Sequence, residues 1–273
     1  MNTVSLGPLV LDGDRAAALV GIGLFLVAVE IADRVGGRRG TTAALGPHAW
    51  LLLAACIVAA RAGFVAAHAE SFAAAPRDAL KVWQGGFSLA AGAVGGGVAA
   101  LVLVRRSPRR ALPLVASAAL ALGGTAAVSA ALPDPRGALL PRVDATDLSG
   151  APVEIGAAGG PLVLNLWAGW CPPCRREMPM MVAAAGMEDA PRFLFVNQGE
   201  DAGTVARFLA SAGLPGRDVA LDREARLMAA LGAEGLPVTV FVDAAGRLHD
   251  THTGEISRAA LAAGMRRIVK DTE

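Results

Sequence analysis

Apolar positions fill the first half of the chain in four runs, Ala16–Ala32, Ala49–Ala67, Gly85–Val104 and Ala111–Leu132. Each is close to the ~20 residues a helix needs to cross the hydrocarbon core of a bilayer. Four such runs in series predict a transmembrane helical bundle rather than the buried helices of a soluble protein. After Leu132 the pattern changes. Pro133–Pro141, PDPRGALLP, reads as a linker. Beyond it, short apolar runs alternate with helical periodicity. The pattern predicts a hairpin over Leu148–Ile155, a buried strand over Pro161–Trp167 and a helix from Cys171 to about Ala185. It then predicts a strand over Arg192–Asn197, helices over Asp201–Ala212 and Arg223–Leu231, and a hairpin of Val238–Asp243 with Arg247–Thr251. A helix over Glu255–Lys270 ends the chain. The expected architecture is multi-domain: a transmembrane domain at 1–132, a linker at 133–141 and an α/β domain at 142–273.

The composition agrees with the apolar runs. Of 273 residues, 54% are hydrophobic, too many for an ordinary soluble chain. A net charge of +1 gives no electrostatic footprint for nucleic acid, and the expected surroundings are membrane lipid. Between the first two runs lie Arg34, Arg38 and Arg39; between the last two lie Arg105, Arg106, Arg109 and Arg110. On the other side stand Arg15 and, offset by Glu70 and Asp78, Arg77 and Lys81. Basic loops favour the cytoplasm. Both ends of the bundle and everything after Leu132 are thus expected outside, in the periplasm if the membrane is a bacterial inner membrane. With Asp12 and Asp14 just upstream and no basic segment before it, the first run reads as a retained span.

The candidate chemistry lies in LWAGWCPPCRREMP, Leu166 to Pro179, which holds two of the three cysteines. A strand ending at Trp167 and a helix starting at the cysteines put Cys171 at a helix amino terminus. The free N–H groups and dipole there favour a thiolate. Cys171 is the expected attacking thiol, and Cys174, one turn further in, the resolving one. Pro172 and Pro173 stiffen the first turn. The other reading, half a zinc site, needs two more ligands; His249 and His252 sit at a strand end with no assured common direction. No metal and no cofactor are expected. The bundle holds one thiol, Cys56, and one thiol cannot take up and pass on two electrons by internal disulfide exchange. The bundle reads as an anchor or docking platform, with a separate membrane reductant implied.

LVLNLWAGWCPPCRREMP, together with Gly235-Leu236-Pro237-Val238-Thr239 and the VFVDAAGRL that follows, resembles the TlpA/ResA-like branch of the thioredoxin superfamily. The likeness runs from Leu139 to the end. It implies a thioredoxin fold, Pro237 in cis beside the cysteines, and the Leu236 backbone offered to an extended substrate by strand addition. Trp170 joins Leu236 and Pro237 as a candidate substrate-binding residue placed over the disulfide. Trp167 is a packing residue, and Arg175 and Arg176 read as solvated. Thioredoxins proper carry an aspartate six residues before the first cysteine; here stands Asn165. Glu177 matches an acidic residue common in the branch. It either tunes the thiols and moves a proton, or is a solvated helix charge. The resemblance implies a thiol–disulfide oxidoreductase that mainly reduces substrate disulfides. The alternatives are an oxidase or isomerase, or a module delivering copper or apo-cytochrome. Implied partners are disulfide-bonded periplasmic proteins, apo-cytochrome c and copper-site proteins among them, and an electron donor of the CcdA or DsbD type.

RAGFVAAHAESF and DALKVWQGGFSLAAGAVGG resemble prolipoprotein diacylglyceryl transferase over roughly the first three spans. That family's histidine is replaced by Ala90, and its asparagine- and glycine-rich signature is missing, so lipid transfer is not expected. Arg61, inside the second run, is a functional candidate or a group bound to backbone carbonyls or lipid head groups. Gly92 and Gly96 suit a close helix contact.

Overall fold

The computed structural model describes residues 3–6, 9–38, 44–156 and 159–270; Arg39 lies outside them. The chain divides into two compact units, Gly13–Leu132 and a second that joins Pro133–Glu273 with the amino-terminal segment.

The first unit is built on four helices, α1 (Gly13–Arg38), α2 (Gly46–Ala67), α4 (Leu89–Arg106) and α5 (Pro108–Ala131); a short α3 (Ala69–Ala74) follows α2. All four are long and apolar enough to cross a membrane. Helix α2 lies along α4, and α1 along α5. Glycine is what lets α4 approach so closely. A Cβ on Gly95 would meet the Ala59 methyl and the Ala55 carbonyl, and one on Gly96 would meet the Cys56 sulfur. The third span starts at Leu89 rather than Gly85. Gly85 and Gly86 take positive φ values of 74° and 82°, which suit glycine, and Ser88 caps the helix by accepting the Ala91 N–H.

Arg61 is the hub of this turn. Its Nε donates to the Ala79 carbonyl (2.9 Å), Nη1 to those of Gly85 (2.6 Å) and Gly86 (2.9 Å), and Nη2 to that of Asp78 (2.9 Å). The rings of Phe64, Phe72 and Phe87 surround it at 5.6–5.9 Å. Of its alternatives, the backbone-carbonyl one is realised: the guanidinium stitches the connector after α2, with its 3₁₀ turns at Pro76–Leu80 and Val82–Gln84, to the start of α4.

The second unit begins with an unanticipated hairpin, β1 (Thr3–Leu6) and β2 (Leu9–Asp12). Its body is a mixed sheet of β3 (Val143–Thr146), β4 (Pro152–Ile155), β5 (Leu162–Trp167), β6 (Arg192–Gln198), β7 (Val219–Asp222), β8 (Val238–Val242) and β9 (Leu248–Thr253), in the order β4-β3-β7-β6-β5-β8-β9. Helices α6 (Pro172–Ala185), α7 (Ala202–Ala212), α8 (Arg226–Leu231) and α9 (Arg258–Lys270) complete it. Strand β5 is buried along its whole length, as a central strand covered on both faces must be. Its alternation splits the core in two. Leu162, Leu164 and Leu166 pack in a layer with Leu227 and Leu231 of α8. Val163 and Trp167 face the other way, into a layer with Met178 and Met181 of α6, Leu209 of α7 and Ile268 of α9.

The structure also departs from the sequence reading elsewhere. The first hairpin starts earlier, at Val143; its turn is fixed by Asp147, whose Oδ1 accepts from the Ser149 (2.8 Å) and Ala151 (2.9 Å) N–H groups. Strand β7, missed in the sequence, pairs with β6. The expected linker is docked from Gly137 onward: Gly137 donates to Leu248, Leu248 to Ala138 and Leu140 to Gly246. The last helix starts at Arg258, which leaves Glu255–Ser257 as a strap between β9 and α9.

Candidate functional site

The carboxyl ends of β5 and β6 and the start of β8 converge. Parallel pairing sets Trp167 beside Asn197, and antiparallel pairing sets Leu166 beside Val238. The chain leaves β5 through a tight turn, closed by Cys171 N–H on the Ala168 carbonyl (3.2 Å), and enters α6. Cys171 is the N-cap of that helix, with φ −87° and ψ 108°, and its sulfur accepts the Cys174 N–H at 3.3 Å. Pro172 and Pro173 occupy the first helical positions, where a missing N–H removes no helical bond. The sulfurs form a disulfide of 2.03 Å. Cys174 is fully buried and Cys171 nearly so.

The Leu236–Pro237 peptide is cis, and Pro237 stands next to Val238, opposite the end of β5. Leu236 packs against the apolar layer that contains both cysteines. Trp170, expected over the disulfide, is 68% exposed; most of its ring faces solvent and leaves an apolar surface beside the motif.

Glu177 is 3% exposed, so its solvated reading is corrected. Its Oε1 accepts from Asn165 Nδ2 (3.0 Å) and its Oε2 from the Ile256 N–H (2.9 Å). Burial pushes its pKa up to about 8, with Glu255 adding to the rise; the two hydrogen bonds and Arg176 oppose it. At that value the group holds its proton at neutral pH. Asn165 shares the face of β5 with Val163 and Trp167 and also reaches Thr239 Oγ1 at 3.4 Å. Its Oδ1 is buried with no hydrogen-bond partner among the described residues. An amide presents a donor to a carboxylate in one orientation and an acceptor to a carboxylic acid in the other. Asn165 thus suits both forms of Glu177.

Two carboxylates escaped the sequence reading. Glu200, just past β6, accepts through Oε2 from the Gly169 N–H (2.6 Å) and from Asn197 Nδ2 (2.7 Å), pinning the turn before Cys171. A Cβ at 169 would lie 3.1 Å from Glu200 Oε1, so a larger residue there would make the carboxylate shift by a few tenths of an ångström. Glu255 holds Arg176 in a two-pronged ion pair, 2.8 and 2.6 Å, so Arg176 is not simply solvated. The Arg175 guanidinium lies 5.5 Å over the Phe208 ring. Among the described residues no group of three His, Cys, Asp or Glu side chains is placed to hold a metal ion.

Two family models match the chain: Redoxin over residues 133–264 and prolipoprotein diacylglyceryl transferase over residues 16–130. The second reaches through α5, further than the three spans read from the sequence. Thiol-disulfide oxidoreductase ResA of Halalkalibacterium halodurans is 35% identical over 111 residues, 40% of this chain and 62% of the relative. The ResA of Geobacillus kaustophilus is 31% identical over 125 residues, 45% of this chain and 71% of the relative. The chain spans about three fifths of the first curated relatives it matches, 62% and 58% of their lengths. Among solved structures, a secreted Mycobacterium tuberculosis disulfide oxidoreductase is 28% identical with a TM-score of 0.41, covering 46% of this chain and 95% of its own.

Proposed function

We propose that this chain, which belongs to the ResA family of thiol–disulfide oxidoreductases, is anchored in a bacterial inner membrane by its apolar helices and uses Cys171 and Cys174 to reduce disulfides of periplasmic proteins. The observation that carries the reading is the cysteine pair at the amino terminus of α6 with the buried, proton-bearing Glu177 one turn further on. In the dithiol form the Cys171 thiolate attacks a substrate disulfide, and one substrate sulfur leaves with the electron pair. Cys174 gives its proton to the ionised form of Glu177, on the order of a tenth of the population at neutral pH for a group of this affinity. Its thiolate then attacks the Cys171 sulfur, breaks the mixed disulfide and releases the second substrate sulfur. Two electrons reach the substrate, and the Cys171–Cys174 disulfide remains. A membrane electron donor of the CcdA or DsbD type restores the dithiol. Trp170, Leu236 and cis-Pro237 form the substrate-facing edge: an exposed ring next to backbone that an extended segment can pair with. Apo-cytochrome c and copper-site proteins are the proposed substrate class. The periplasmic orientation rests on the arginine-rich loops.

One experiment tests substrate, direction and orientation together. In intact cells Cys174→Ala should accumulate Cys171 in mixed disulfides with exported proteins, and a membrane-impermeant reductant should release them. The wild-type pair should be mostly reduced at steady state. A pair held oxidised would make the protein an oxidase or isomerase. Mixed disulfides that resist the impermeant reagent would overturn the orientation.

A further inference from the structure

Helix α6 and the strap Glu255–Ser257 meet through two adjacent contacts. Arg176 Nε and Nη2 both donate to Glu255 Oε2, at 2.8 and 2.6 Å. One residue further along each segment, the Ile256 N–H donates to Glu177 Oε2 at 2.9 Å. The Glu255 side chain is 8% exposed and that of Arg176 57%, so the anion is buried and the cation reaches in from the surface to meet it. The Glu255 carbonyl lies 3.3 Å from His252 Nε2, at the end of β9. The register leaves little freedom: shifting the strap by one residue would break the ion pair and the bond to Glu177 together.

We propose that Arg176 and Glu255 are positioning residues for the thiol chemistry: the pair holds the Ile256 N–H against Glu177 and sets, by its two opposite charges, how readily Glu177 takes the Cys174 proton. The proposal rests on the reading of Glu177 as the proton acceptor. The groups facing Glu177 are few. From β5 comes the neutral Asn165 amide, with Thr239 of β8 behind it. From the strap come the Ile256 N–H and the Glu255 carboxylate, and from α6 comes Arg176. Glu255 favours the protonated acid and Arg176 the carboxylate. The two act on Glu177 with opposite sign while fixing the strap. Removing Arg176 leaves the buried Glu255 charge uncompensated beside Glu177, whereas removing Glu255 leaves a cation that water partly screens. The step itself is unchanged: the Cys174 S–H bond breaks, its proton goes to a Glu177 oxygen, and the thiolate pair forms the Cys171–Cys174 bond as the substrate sulfur leaves.

The test is a two-phase reaction of the full chain, reduced and held in lipid nanodiscs, with excess 5,5′-dithiobis(2-nitrobenzoate). A Cys56→Ala background removes the third thiol. The first phase reports attack by Cys171, the second closure by Cys174, and each is followed against pH. Arg176→Gln should move the midpoint of the second phase to higher pH, and Glu255→Gln to lower pH, each by about half a unit or more. The double variant should return near the wild type, and Arg176→Lys should largely keep the wild-type midpoint. First-phase rates should stay within about twofold, because neither residue touches Cys171. Shifts of one sign in both single variants would mean loosened packing and would overturn the proposal. Glu177→Gln separates the two ideas. If it abolishes the titration while the other variants leave the midpoint fixed, the ion pair has no such role and Glu177 keeps its own. If it leaves the second phase untouched, the proton-acceptor reading falls and takes the proposal with it.

Discussion

Glu177 enters the fold as an acid rather than as a carboxylate. Burial holds its pKa at about 8, against 4.5 for an unperturbed glutamate. Between those values the folded chain binds a proton that the unfolded chain has lost, so stability falls as pH rises. The contribution is whole below the unfolded value and gone above the folded one, a swing on the order of a few kcal/mol. Glu177→Gln should therefore gain on the wild type as pH rises. Hydrogen exchange of the β5 and β6 amides, compared between the two proteins at pH 5.5 and again at pH 8.5, should show the variant relatively better protected at the higher pH. An equal difference at both would mean the group ionises freely. The pairing of Cys171 with Cys174 and the cis Leu236–Pro237 peptide were legible because their motifs are local. Glu200 and Glu255 were not: their partners lie 31 and 79 positions away in the chain, and nothing in a lone acidic residue announces which strand end it will meet. Glu177 could be named from its spacing to Cys174, but its burial comes from the strap and β5, which sequence periodicity does not bring to it.

Strands and helices with strong periodicity were read within a few residues, β5, α6, β6 and α7 among them. Strand β7 is only VALD, too short for a period to register, and it is defined by pairing with β6. The residues after Pro133 carry turn composition, yet backbone bonds to the β9 hairpin recruit them from Gly137 on. The glycine-rich stretch from Gly85 continues the low-polarity run, whereas the positive φ of Gly85 and Gly86 keeps them out of the helix, which starts at Leu89. The α2–α4 seam yields an element-scale prediction. Gly95→Ala forces a methyl against the Ala55 carbonyl and the Ala59 side chain, an overpacking that typically costs about 1–3 kcal/mol. Gly97, on the same helix, has nothing within 4 Å of a Cβ, so Gly97→Ala should be neutral or gain up to ~1 kcal/mol. Unfolding midpoints in mixed detergent micelles should separate the two. Similar midpoints would show that the seam is not tightly packed.

At the scale of the whole chain, two family likenesses sit end to end, and the chemistry belongs to the second. The first unit holds one cysteine and is offered as an anchor, yet its Arg61 side chain is bound to four backbone carbonyls. The four acceptors of Arg61 lie 17 to 25 residues further along the chain. That separation has a consequence for biosynthesis. An arginine in the apolar stretch of α2 opposes integration of that helix alone by up to roughly 3 kcal/mol, less toward its end. While the ribosome has made α2 but not Gly86, the guanidinium has no carbonyls to bond, and the helix is a reluctant guest of the translocon. The two helices that share Arg61 should then settle as a pair, the earlier waiting for the later. Chains truncated after Ala75 should integrate α2 less completely than chains truncated after Arg106, as read by protease protection of a tag behind the helix. Arg61→Leu should erase the difference. Full integration of the shorter wild-type chain would show that α2 needs no companion to enter the bilayer.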